Sequence, residues 1–341
     1  MGIDLKPILT TCPIKSSDLS DKIIAVDAYN TIYQFLATIR GPTGDSLTNN
    51  KGEITSHLSG LFYRNINFLT ENIKLLYIFD GKPHSLKFNE IKRRKESKQE
   101  AIEKYQEALE EGRLEDAKKY SQGTVILTDD IIEQSKKILK MLGIPVIQAP
   151  SEGEATASIL TKDGTVYACA SQDYDSLLFG AKRLIRNLTI TGKRKIPNKN
   201  KYVSIEPEII HQSAILESTK LTLEQLVDVG ILIGTDFNPG GLPGIGPKTA
   251  LKLIRENGRL EEIEKIKDNL KDVPYQQIRE IFLNPENISI GNIEFDNPNY
   301  KEIIGFLCDT MDFSKERVES SLERVKKSQE KRSQSLEQWF K

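Results

Sequence analysis

Four carboxylates within one short stretch offer the most chemistry in this chain. Residues 149–175 read APSEGEATASILTKDGTVYACASQDYD and carry two spaced pairs, Glu152/Glu154 and Asp173/Asp175. After Pro150 and Ser151, the apolar positions Ala155, Ile159 and Leu160 recur at helical spacing, and Lys162-Asp163-Gly164 ends that helix. Val166 to Ala170 then reads as a buried strand running into the second pair. The first pair therefore falls in a first helical turn and the second just past a strand. Two acidic pairs brought together by a turn form an all-oxygen site, which suits Mg²⁺ or Mn²⁺ rather than zinc. A structural reading competes. Ser151 and Glu154 have the spacing of a capping box, and acids in a first turn favour the helix dipole. Either pair alone is explained as well that way; both together are not.

The elements needed to position these acids are visible in the order of the chain. Lys22 to Asp27 (KIIAVD) and Lys74 to Asp80 (KLLYIFD) are short apolar β runs, each ending in a carboxylate. Helical segments at Tyr29–Ile39, His57–Thr70 and Asp130–Leu142 alternate with them. This alternation predicts an α/β fold with a mainly parallel central sheet flanked by helices. In such sheets the ligand crevice lies beyond the carboxyl ends of the strands. Asp27, Asp80, Asp173 and Asp175 all fall at that edge.

Arg40 to His57, rich in Gly, Asn and Thr, reads as an exposed loop or hairpin. From Gly81 to Tyr120 the chain is dominated by Lys, Arg, Glu and Gln, and it is distinctly basic from Lys82 to Lys98. Lys87 and Arg94, seven apart, share one face of a helix. A solvated helix with i,i+4 ion pairs is the ordinary explanation. The departure of this segment from the Asp80 strand end favours a cation pair serving a phosphate substrate. Lys193 to Lys201 (KRKIPNKNK) is a second basic loop, read as solvated surface. Leu221 to Ile233 is an amphipathic helix leading into Asp236. Gly244-Ile-Gly246-Pro-Lys248 follows as a Gly-rich turn before an apolar-periodic helix, whose N-terminus favours an anion. Pro247 excludes a P-loop. A turn of this kind between two helices resembles the helix-hairpin-helix element that grips DNA phosphates without reading sequence.

The 341 residues suggest about two domains, and a net charge of −1 means that any nucleic-acid-binding basic surface must be local. Cys12, Cys169 and Cys308 are odd in number and far apart, which argues against a disulfide framework and for an intracellular setting. No apolar run approaches transmembrane length, so no membrane partner is expected. Lys315 to Arg332 reads as a charged helix, and SQSLEQWFK after it breaks the trend with Leu336, Trp339 and Phe340. Aromatics on a polar tail that cannot join a core read as docking anchors.

Taken in order, AVDAYNTIYQFL, YIFDGKPHSLK, APSEGEA, ASQDYDSLLFG and GTDFNPGGLPGIGPKTAL resemble the motifs of the flap endonuclease family of structure-specific 5′ nucleases, the archaeal and eukaryotic replication type most closely. The resemblance spans nearly the whole chain. It implies that Asp27, Asp80, Glu152, Glu154, Asp173, Asp175 and Asp236 hold two Mg²⁺ ions (Mn²⁺ as substitute) directly or through water. It implies catalytic roles for Lys87 and Arg94 at the scissile phosphate, on an arch through which a 5′ flap passes. Gly2, Tyr33, Thr55, Gly244, Gly246 and Lys248 are the implied DNA contacts: Tyr33 stacks a base, Thr55 lies by a one-nucleotide 3′ flap, and the Gly244–Lys248 turn holds duplex and K⁺. Leu336, Trp339 and Phe340 match a sliding-clamp docking peptide, although Ser333 stands where the family has Gln. The implied organisation is an N-terminal nuclease region (1–98), an arch (82–129), an internal nuclease region (116–258), a C-terminal helical region (259–325) and the tail (326–341).

The expected activity is a Mg²⁺-dependent 5′-flap endonuclease with 5′–3′ exonuclease action, working as a monomer at DNA junctions in replication and repair. A related junction or mismatch-type 5′ nuclease would keep the same carboxylates. A non-catalytic, clamp-bound DNA-junction module would leave them without a purpose. A metal phosphatase or RNase would have no use for the Gly244–Lys248 turn.

Overall fold

A computed structural model of the chain describes residues 3–190, 193–195, 202–288 and 290–339; for 193–195, 202–204 and 335–339 it describes the backbone alone. Its main sheet comprises β1 (Cys12–Pro13), β2 (Ile23–Asp27), β3 (Lys74–Phe79), β4 (Val146–Gln148), β5 (Ala168–Ala170), β6 (Arg183–Arg186) and β9 (Glu208–His211). β7 (Lys193–Lys195) and β8 (Tyr202–Ser204) form a separate antiparallel ribbon. Part of the basic stretch read as a solvated loop is therefore a strand. The sheet order is β1-β9-β6-β5-β2-β3-β4. From β6 through β4 every neighbouring pair is parallel, and β9 and β1 close one edge antiparallel.

This order explains why the carboxylates meet. The chain leaves β2 toward β3 and β4, then returns to the other side of β2 with β5 and β6. The boundary between β2 and β5 is a topological switch point, where connections diverge and leave a crevice beyond the carboxyl ends. Register places Val26 opposite both Tyr77 and Ala170, so the three strands end within two residues of one another.

The central strands β2, β3, β5 and β6 are buried on both faces, and alternate residues feed two cores. Ala25, Leu76, Ile78, Cys169 and Leu184 face one core; Ile24, Val26, Leu75, Tyr77, Ala168 and Ile185 face the other. The second core packs α1 (Ala28–Thr38), α2 (Ser56–Thr70) and, across the base of an excursion, α5 (Asp129–Met141). The excursion itself is α3 (Phe88–Glu110) and α4 (Leu114–Ser121), which pack on each other and bury little: within α3 only Glu90 and Ala108 are buried. The first core packs α6 (Gly153–Asp163) and α7 (Asp175–Leu178), followed, after α8 (Gln212–Thr219), by α9 (Leu223–Ile233) and α10 (Pro247–Asn257). Fully burying one of these aliphatic side chains stabilises by about 1.5–3 kcal/mol.

Helix ends follow sequence chemistry. Thr222 caps α9 with a true capping box to Gln225. Gly164 ends α6 at φ 88°, in the left-handed region. Beyond α11 (Lys267–Leu270), α12 (Tyr275–Leu283) locks onto α9: Arg279 spans the buried Asp228 at 2.8 and 2.9 Å and reaches Glu261 at 2.8 Å. After α13 (Tyr300–Ile304), α14 (Lys315–Trp339) packs along α2, with the Ser328 hydroxyl donating to the Thr70 carbonyl. The expected charged helix thus continues past Arg332 through the backbone of the tail.

Candidate active site

The N-terminus of α6 decides between capping and chemistry. Glu152 is the N-cap, yet its side chain caps nothing, and no capping box closes from Ser151 to Glu154. The two acids are free for other work. Gly153 brings a third acid to this helix start: its N–H donates to Asp80 Oδ1 at 2.7 Å, and a Cβ there would stand 2.7 Å from the same oxygen. Only glycine lets the end of β3 approach the start of α6 so closely.

The other acids arrive from strand ends. Asp27 ends β2 and caps α1, accepting the Asn30 N–H at 3.0 Å. Asn30 in turn donates its side-chain amide to Asp173 at 3.0 Å, tying the ends of β2 and β5 together. Asp175 opens α7 and accepts the Ile3 N–H at 3.1 Å. Asp236 follows α9 and is 8 % exposed. Sequence spacing did not single out Asn30 or Ile3, because both act through contacts made only in the fold.

Electrostatics set this edge apart. Burial raises Asp27 well above the carboxylate range, helped by Asp80 and Asp173. Asp80 is pushed up to about 6 by burial and the neighbouring Glu152. Asp175 is pushed up to about 7 by burial, Asp236 and Asp173. Glu154 is raised well above its ordinary value by burial, Asp175 and Asp27, and its Oε1 is buried without a hydrogen-bond partner among the described residues. Acids that raise one another in this way need positive charge.

Part of that charge is built in. Lys87, at the start of α3, pairs with Glu152 and stands 3.4 Å from Asp236. Burial opposes its charge, but Glu152 and Asp236 outweigh burial and hold the ammonium protonated. Arg94, two turns on, places one nitrogen 2.8 Å from both Asp236 oxygens and another 2.7 Å from Glu90. Glu90, 2 % exposed, also holds Arg93; burial would raise its pKa, but the two guanidinium groups outweigh it and keep it low. The shared face expected for Lys87 and Arg94 is the one turned to the acids. Glu90, which holds that face in place, escaped the sequence reading as one acid among many.

The donor set is all carboxylate oxygen, and the orphaned Glu154 Oε1 and the raised acids suit a hard divalent cation. As they lie, no three of the described acids are close enough to hold one ion. The charge of a bound cation would offset their repulsion.

The remaining expected residues lie apart from this cluster. Tyr33 is on α1 and 39 % exposed. Thr55, at the start of α2, is buried, its N–H donating to the Leu47 carbonyl at 2.7 Å. Two short bridges, Arg40 to Ser46 and Thr48 to Ile54, shape the loop before it. Gly244 has φ +77° and Gly246 caps α10; a Cβ on either would meet nothing within 4 Å, so this turn offers bare backbone to solvent. Lys248, exposed, lies in the first turn of α10. Gly2 and Phe340 lie outside the described residues. Leu336 and Trp339 lie on the backbone of α14, with their side chains outside the description. Among the described residues, no helix is long and apolar enough to cross a membrane.

The chain is similar to known proteins over its whole length. Residues 1–101 match the XPG N-terminal domain and residues 143–236 the XPG I-region, together more than half of the chain. The chain is 54 % identical to flap endonuclease 1 of Nitrosopumilus maritimus, covering all of both chains. It is 50 % identical to the Pyrococcus furiosus flap endonuclease 1, again over both full lengths. Among solved structures it is similar to flap endonuclease-1 from Methanococcus jannaschii, with TM-score 0.74, 38 % identity, and coverage of 96 % of this chain and 98 % of that one.

Proposed function

The chain belongs to the flap endonuclease family of XPG-type nucleases, and from that premise we propose how its residues cut DNA. It is a structure-specific flap endonuclease; the observation that carries the chemistry is the set of mutually raised acids at the β2/β5 crevice, faced by Lys87 and Arg94.

Asp27, Asp80, Glu152, Glu154, Asp173, Asp175 and Asp236 are the residues that would hold two Mg²⁺ ions. When bound, these supply a hydroxide nucleophile at neutral pH and neutralise both the attacking and the leaving oxygen of an in-line displacement. The acids fix where the phosphodiester can sit, and their negative charge repels any phosphate that arrives without cations. Lys87 and Arg94 project from α3 into the site, so they contact the non-bridging oxygens of the scissile phosphate as charge develops there. Asp236 now holds both cations; with its oxygens committed to metal, Lys87 and Arg94 would be available to the phosphate. The product keeps its 5′-phosphate on the downstream strand.

The excursion of α3 and α4 (82–129) serves as the arch over a 5′ flap, between an N-terminal nuclease region (1–98) and an internal one (116–258). Tyr33 stacks a base near the junction, and Gly2 lies near the site. Thr55 belongs to the part that holds a one-nucleotide 3′ flap. Gly244, Gly246 and Lys248 grip downstream duplex phosphates, with K⁺ at the turn. The C-terminal helical region (259–325) supports α9 through Arg279. The tail (326–341) docks a sliding clamp through Leu336, Trp339 and Phe340.

The test is cleavage of a labelled double-flap DNA, with and without Mg²⁺, beside the same strand single-stranded. Metal-dependent incision at the flap base, absent on the plain strand, is expected. Tight binding without a cut in any divalent metal would instead mark a junction-binding module.

A further inference from the structure

Lys87 presents a difficulty that its ion pairs do not solve. Its ammonium pairs with Glu152 and Asp236, the two acids that metal binding would claim. A cation held only by those carboxylates would lose its place when they turn to metal.

A third partner carries no charge. Lys87 Nζ lies over the face of Phe237, 5.2 Å from the ring centroid. Phe237 is 5 % exposed and itself held rigidly: Phe282 meets it nearly edge-on at 5.3 Å, and His84 does the same at 6.1 Å. The backbone behind the ring is fixed as well. Phe237 N–H donates to Thr235 Oγ1 at 3.2 Å, Thr235 Oγ1 donates to Asn238 Oδ1 at 2.8 Å, and the Asn238 amide donates to the Ile231 carbonyl at 2.8 Å. The ring follows Asp236 directly in the chain, so one locked turn presents both a carboxylate and an aromatic face to the same ammonium.

We propose that Phe237 is a positioning residue for Lys87: its ring face seats the ammonium beside the scissile phosphate when Glu152 and Asp236 are committed to metal. A ring quadrupole attracts a desolvated cation without competing for divalent ions, which a carboxylate in the same place would do. The proposal rests on the reading of Lys87 as a residue that contacts the phosphate.

The test replaces Phe237 by site-specific incorporation of mono-, di- and trifluorophenylalanine, which weaken the ring quadrupole at nearly constant shape. Single-turnover cleavage of a double-flap DNA is measured with Mg²⁺, alongside flap-DNA Kd and Tm. The expected result is a graded fall in the rate, reaching about thirtyfold at three fluorines, the size of a desolvated cation–π contact, with Kd and Tm held. In ¹³C-lysine-labelled protein the Lys87 ε-methylene, assigned by its loss in Lys87→Arg, should be shifted upfield by the ring both in EDTA and in Mg²⁺, and Phe237→Leu should abolish the shift. A flat rate across the fluorinated series, or an upfield shift that disappears when Mg²⁺ is added to the unsubstituted protein, overturns the proposal. Lys87→Ala separates the two levels: an unchanged single-turnover rate would overturn the reading of Lys87 itself, whereas a large fall beside a flat fluorine series would overturn only the seat.

Discussion

Replacing Asp175 by Asn should make the metal-free protein more stable while destroying its chemistry. Asp175 is 6 % exposed and shares its surroundings with Asp236 and Asp173, so little solvent screens the repulsion. Its pKa is raised from 3.8 to about 7. The sign follows from proton counting: the folded chain holds this proton more tightly than the unfolded chain, so stability falls as pH rises from about 4 through about 7. The full shift corresponds to about 4 kcal/mol at ~1.36 kcal/mol per pKa unit. Asn keeps the side-chain oxygen that accepts the Ile3 N–H, so the hydrogen bond survives and the charge does not. In EDTA at pH 8 we expect Asp175→Asn to be about 2–4 kcal/mol more stable than the parent, with the gap shrinking by more than half at pH 5. Adding Mg²⁺ should stabilise the parent and leave the variant nearly unmoved, because binding to the folded state alone raises stability by mass action. Urea unfolding followed by circular dichroism at the two pH values, with EDTA or Mg²⁺, reads all of this. A variant no more stable than the parent in EDTA at pH 8 would refute the claim that these acids strain one another.

Four further outcomes are expected. His57 is fully buried and burial pulls its pKa down to about 4 from 6.5; the unfolded chain takes up the proton first, so this residue withdraws about 2 kcal/mol of stability between pH 7 and pH 5. The stability difference between His57→Gln and the parent, read from urea unfolding, should shift by about 2 kcal/mol in favour of the variant from pH 7 to pH 5, and a constant difference would count against it. Arg279→Met leaves the buried Asp228 uncompensated and should cost about 3–5 kcal/mol, most of it recovered in the Asp228→Asn/Arg279→Met double variant; a loss below 1 kcal/mol in the single variant would contradict the ion-pair account. Arg94→Ala should slow single-turnover cleavage about a hundredfold, as for loss of a transition-state charge partner, and a change confined to KM would remove Arg94 from the chemistry. Deleting residues 333–341 should leave cleavage intact and abolish stimulation by a sliding clamp; equal stimulation would locate docking elsewhere.

How much of this was legible in the sequence differs from residue to residue. Glu152/Glu154 and Asp173/Asp175 declare themselves because local periodicity fixes their place relative to one helix and one strand, and period is a property of the chain alone. The strand ends at Asp27 and Asp80 and the bare glycine turn before α10 follow from the same local rules, and so does the parallel character of the sheet. Strand order does not. The crevice between β2 and β5 arises because the chain reverses direction across the sheet, and no short window of sequence encodes that. The tertiary structure alone decided that Ser151 and Glu154 form no capping box: the helix starts one residue later, with Glu152 as its N-cap and the Gly153 N–H given to Asp80. It alone brought Lys87 onto the face of Phe237 and Arg94 onto Asp236, from positions about 140 to 150 residues away in the chain. The acid pairs and the Lys87/Arg94 face could be read because residues at short spacing leave a pattern; which acid or ring each cation meets could not, because a partner far off in sequence acquires its meaning only from what the packed core sets against it.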